Sequence, residues 1–133
     1  MSHKTHDIGI AKQIGRYSDA VEVGPNQRWL FTSGTPGLSA AGDVPKDITG
    51  QAELAWEHIL RMLTQADMTV SDIVTVTQYL TRAEDIPAYA KVRSRFLGEL
   101  RPAFMLLVIP QLVWPEFLLE VQVTAAKGYS QRH

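Results

Sequence analysis

The order of apolar and polar residues predicts two strands, Asp19 to Val23 and Arg28 to Ser33, separated by the turn-rich tetrapeptide Gly24-Pro25-Asn26-Gln27 of an antiparallel hairpin. A loop rich in Gly, Pro, Ser and Ala follows, from Gly34 to Pro45. The spacing then becomes helical: Ile48, Ala52, Ala55, Trp56, Ile59, Leu63 and Ala66 fall on one face, and Asp47 is placed to cap the first turn. Gln51, Glu53, Glu57, Arg61 and Gln65 mark the face expected in water.

Ile73 to Leu80 is a β-branched run that reads as a central strand. A shorter helix starts near Asp85-Ile86-Pro87, buries Tyr89, Val92, Phe96 and Leu97, and stops at Gly98. Ala103 to Ile109 and Phe117 to Ala125 are the last strands, flanking a loop whose Pro110 and Pro115 cannot occupy central ladder positions. The order ββαβαββ contains no internal copy and no linker. It predicts a single α+β domain over residues 1–133, with one mixed sheet covered by two helices and residues 1–8 as a flexible tail.

One strand breaks the rule for a sheet wet on one side. Met105, Leu106, Leu107 and Val108 are apolar in both phases of the alternation, as is the start of the last strand at Phe117-Leu118-Leu119. Two helices cover one face of such a sheet, so burial of the other calls for further copies of the chain.

Composition narrows the chemistry. With 133 residues, 45% hydrophobic and 20% charged, the chain is long enough for one self-sufficient core. It has no cysteine, which removes thiolate metal sites and thiol nucleophiles. The net charge of -1 gives no field to attract polyanions, so nucleic acid is not an expected partner. The longest apolar run, Phe104 to Ile109, is far short of the roughly 18 residues of a membrane span, and the polar N-terminus lacks the core of a secretory signal; no membrane partner and a cytoplasmic location are expected. His3 and His6 read as solvated residues rather than metal ligands, His58 as a surface residue, and Glu84-Asp85 as a helix start. Neither a phosphate-binding glycine loop nor a Ser-His-Asp set can be assembled, so no cofactor and no metal are expected.

Five segments in order carry a resemblance over nearly the whole chain: Ile14 to Val21, Leu30-Phe31-Thr32-Ser33-Gly34, Ile73 to Thr81, Arg101-Pro102-Ala103, and Leu119 to Ala126. Together they resemble the Rid family of enamine and imine deaminases, also called the YjgF family. The resemblance implies a chorismate-mutase-like fold and a barrel-like homotrimer with small-molecule clefts between subunits. It also implies an arginine, just after the proline of the Arg-Pro-Ala segment, that holds a substrate carboxylate.

Here that position is Phe104, which has no donor to offer, and Arg101 lies three residues, about 10 Å of strand, away. Poor use of 2-aminoacrylate and a preference for neutral or cyclic imines are therefore expected. The resemblance places Glu120 and Tyr17 in the cleft. Glu120 interrupts an apolar strand and can activate water or serve as a structural acid at a subunit seam, and Tyr17 can orient a ligand or simply pack. Ser33 and Gly34 fit ligand contact or a tight turn. Phe104, Leu106 and Trp114 are candidate apolar walls, with Trp29 and Trp56 assigned to the core. The functions that follow are hydrolysis of an enamine or imine, non-catalytic metabolite binding by a regulatory trimer, and, least supported by charge, an endoribonuclease.

Overall fold

The computed structural model describes residues 3–129. Its main sheet has the order β3-β7-β5-β6, formed by β3 (Gln27–Phe31), β7 (Leu119–Gly128), β5 (Ile73–Leu80) and β6 (Ala103–Val108). The short β4 (Thr35–Pro36) also pairs with β7. All pairings are antiparallel except β5 with β6, so the sheet is mixed as expected. Helices α1 (Ile48–Gln65) and α2 (Ile86–Leu97) lie on one face, giving an α+β layer with β7 and β5 at its centre.

The helices form where the pattern places them. Asp47 caps α1 by accepting from the Gly50 amide at 3.2 Å. The buried stripe Ile48, Ala52, Ala55, Trp56, Ile59 and Leu63 packs with Tyr89 and Val92 of α2 and with Val76, Leu80, Leu119, Val121 and Val123 of the sheet. Pro87 occupies the first turn of α2, and Gly98 ends it at a φ of 57°.

The expected hairpin does not form. Val21–Glu22 (β2) pairs with Lys4–Thr5 (β1), in the segment expected as a tail, whereas β3 pairs with β7. The tetrapeptide still turns the chain, with Asn26 at a φ of 59°, but β3 lies along the long β7, where Leu30 packs against the core. The histidines beside β1 are bonded: His3 donates to the Asp72 carbonyl at 3.1 Å and His6 to the Glu22 carboxylate at 2.7 Å.

Two polar residues of α1 are less exposed than periodicity predicts. His58 donates to the Leu38 carbonyl at 2.7 Å. Gln51 is buried; its amide nitrogen donates to the carbonyls of Pro45 and Glu116 at 2.7 and 3.0 Å, and its oxygen accepts from the Leu118 amide at 2.8 Å. It thus ties the loop before α1 to the loop before β7. Gln51→Ala leaves these buried backbone groups unmatched and is expected to lower unfolding stability by about 2–3 kcal/mol, read as a shift of the urea midpoint at constant slope.

The second sheet face carries no element among the described residues. Strand alternation puts Thr75, Thr77 and Tyr79 of β5 and Glu120, Gln122 and Thr124 of β7 along its middle. Its margins are apolar: Trp29 and Phe31 on β3 are 47% and 72% exposed, and Met105 and Leu107 on β6 are 58% and 38% exposed. Trp29 is therefore not a core residue; it stacks on Phe31 with ring centroids 5.9 Å apart. Trp56 is fully buried, as expected.

Candidate functional site

The sequence-predicted residues divide between the two faces. On the helix side, the edge of β6, the start of α2 and the segment ending at Tyr17 enclose a cavity of about 450 Å³. Tyr17 is held there by its neighbours. The Asp19 carboxylate accepts from the amides of Ile8 and Ala11, both at 2.8 Å, and these backbone bonds, led by that of Ile8, hold its pKa below the usual carboxylate value. Ser18 bonds through its hydroxyl to the Arg101 carbonyl and through its amide to Pro102 at 3.1 Å. The segment is thereby fixed to the start of β6, and Tyr17 stacks on Phe104 with centroids 5.2 Å apart.

Phe104 and Leu106 pair with Val76 and Gln78 on β5, and so face the helices. Above the Phe104 ring, 4.5 Å from its centroid, is the guanidinium of Arg93, from the middle of α2. Arg93 Nη1 donates to Gln78 Oε1 at 2.9 Å, and the same oxygen accepts from the buried Tyr89 hydroxyl at 2.6 Å. The other end of Gln78 donates to the Met105 carbonyl at 3.2 Å. Burial lowers the pKa of Arg93 and raises that of Tyr89. A guanidinium stays protonated throughout the physiological range, so the cavity wall carries a positive charge.

On the other face, Glu120 pairs with Tyr79 and with Pro36. A Cβ at Gly34 would meet the Glu120 carboxylate, so the carboxylate lies directly over this glycine and a side chain here would displace it. Ser33 is exposed beside it, its carbonyl accepting from the Thr35 hydroxyl at 3.1 Å. Burial raises the pKa of Glu120, which has no ion-pair partner among the described residues.

One chain thus holds a cavity with Tyr17, Phe104 and Leu106, and a separate acid with Ser33 and Gly34; β5 and the thickness of the sheet lie between them. Trp114 lines neither. It stacks on Phe117 at 4.9 Å in the loop before β7. Arg101 is directed to a different surface hollow and does not replace the absent arginine of β6. Arg93 was not identified from sequence, although a signal existed: it lies one helical turn beyond the buried Tyr89, a cation on the apolar side of α2.

Residues 9–127 match the family described as endoribonuclease L-PSP. A RutC family protein of Pyrococcus abyssi is 32% identical over 118 residues, which cover 87% of this chain and 90% of the relative. TdcF of Escherichia coli K12, named as a candidate reactive intermediate deaminase, is 31% identical over 65% of each chain. The crystal structure of E. coli TdcF with bound serine superposes with a TM-score of 0.72, covering 86% of this chain and 91% of that one at 26% identity. A Rid family protein from Yersinia pestis shares the fold at a TM-score of 0.82, with 96% and 100% of the two chains covered at 21% identity.

Proposed function

Because the chain belongs to the endoribonuclease L-PSP family, also called the Rid or YjgF family, we propose that it hydrolyses an enamine or imine at a site completed between copies of itself. The observation that carries this reading is the division of the site. A binding cavity with Tyr17 and Phe104 lies on one face, and an acid of raised pKa with a close glycine lies on the other, amid exposed apolar margins. A second copy seated on the open face buries Trp29, Phe31, Met105 and Leu107 and can bring its own cavity edge to Glu120. Closure into a homotrimer is the assembly we propose, in line with the family resemblance.

In this reading Glu120 takes a proton from water as its oxygen bonds to the imine carbon, and the carbon–nitrogen π pair moves to nitrogen. Glu120 returns that proton to the nitrogen to give the carbinolamine, then takes the hydroxyl proton as the carbonyl forms and passes it to the nitrogen, which leaves as ammonia when the carbon–nitrogen bond breaks. Enamines enter by the same route once protonated at carbon. A carboxyl with a raised pKa is suited to both transfers, because its two protonation states lie closer in energy near neutral pH. Tyr17 orients the ligand through its ring face and hydroxyl. The ribonuclease named in the family description has less support: the net charge is -1, and the cavity is largely apolar.

The test is ammonia release from imines generated in place by an amino-acid oxidase, after subtraction of the spontaneous rate. Acceleration proportional to protein concentration supports hydrolysis; binding without acceleration supports a regulatory trimer instead.

A further inference from the structure

Resting on that assignment of the cavity as the substrate-binding half of the site, we propose that Arg93 is its anion-binding residue and that the ligand is a small carboxylate with an apolar body. The position of the guanidinium is fixed without using up its donors. It is 4.5 Å from the Phe104 centroid and 5.5 Å from that of Tyr89, and one nitrogen donates to Gln78. Arg82 and Arg95 meet carboxylates at 2.9 and 2.7 Å, whereas Arg93 has no acidic partner among the described residues. No Asp or Glu lines the cavity, so an entering anion meets one uncompensated positive charge in a partly desolvated space. Remaining N–H groups of a planar fork match the two oxygens of a carboxylate.

The rest of the wall sets the other half of the preference. Ile86, Ala90 and Leu106 are apolar, and about 450 Å³ lies within the roughly 300–1,000 Å³ typical of sites for organic ligands. A three-carbon acid leaves much of that wall unfilled, whereas a branched aliphatic or aromatic side chain covers it. Phe104 then has a definite role. It supplies no donor, but its ring face supports the guanidinium that does. The expectation of an uncharged ligand presumed a cavity without a guanidinium, and Arg93 removes that premise.

The test is direct binding, by calorimetry, of 4-methyl-2-oxopentanoate, its methyl ester and pyruvate to the wild type and Arg93→Met. The wild type is expected to bind the branched acid at least tenfold more tightly than either the ester or pyruvate. Arg93→Met is expected to weaken the acid by roughly ten- to a hundredfold and leave the ester unchanged. Should that variant fail to fold, Arg93→Gln, whose amide can still donate to Gln78, carries the same comparison. Equal binding of acid and ester, equal binding of pyruvate, no binding of the acid to wild type, or no effect of the substitution overturns the proposal. Binding requires no turnover, so a protein that takes up the acid through Arg93 but hydrolyses no imine retains this inference and loses the proposed function.

Discussion

Glu120→Gln is expected to lower kcat for imine hydrolysis by about 10²–10⁴-fold, with little change in ligand affinity. The substitution keeps the shape of the side chain but removes the group that accepts a proton from water. The pH profile provides a second readout. Burial raises the Glu120 pKa, so the carboxylate needed as a base is lost as pH falls through that raised value, and the acid limb of kcat is shifted upward from that of an ordinary glutamate. Stability has the opposite sense. Between the unfolded and folded pKa values the native state holds more protons, so this group's contribution falls as pH rises through that window. Glu120→Gln therefore abolishes the acid limb without lowering the melting temperature near neutral pH. A variant that loses activity only because it unfolds would show the reverse.

Phe31→Asp is expected to have an effect of similar size by a different route. The side chain is largely exposed within one chain, so the substitution does not disturb the core. In an assembly that covers the open face, it buries a carboxylate without a partner, at a cost of several kcal/mol. Sedimentation equilibrium should give about three times 14.8 kDa for the wild type and 14.8 kDa for the variant, with the circular dichroism unchanged and hydrolysis lost. A variant that remains assembled, or a monomer that retains full turnover, contradicts the shared site.

The helices and the central strand were legible because their burial repeats locally. The stripe from Ile48 to Leu63, the cap at Asp47 and the β-branched run of β5 all lie where the pattern puts them. Partners in the sheet were less legible, since a turn signal such as Gly24-Pro25-Asn26-Gln27 specifies a change of direction but not which strand lies alongside. Burial of Gln51 is hidden for a related reason: periodicity treats every glutamine as polar surface, and only the fold brings backbone groups from two distant loops to its amide.

The candidate site was legible as a set of residues, not as a geometry. Parity along each strand would have separated Phe104 and Leu106 from Glu120 had the register between β5, β6 and β7 been known, but register is a long-range property. Arg93 is not legible as a cavity residue from the strand position that Phe104 occupies. Its relation to Phe104 crosses from α2 to β6, and no local spacing reports it. The exposed apolar margin of β6 follows from its two-phase apolar pattern, whereas that of β3 does not, because Trp29 and Phe31 fit a hairpin strand equally well.

The shared site is tested most directly by mixing two variants that are each inactive alone. Glu120→Gln disables the acid, and Ala90→Trp fills the cavity in which Tyr17 and Phe104 lie. Equal amounts of the two, unfolded and refolded together, assort at random. If each site takes its cavity from one copy and its acid from the next, about one quarter of the sites combine two intact halves, and hydrolysis returns to about one quarter of the wild-type rate. If cavity and acid act within a single chain, no mixture contains an intact site, and activity that stays at the level of the separate variants contradicts the account.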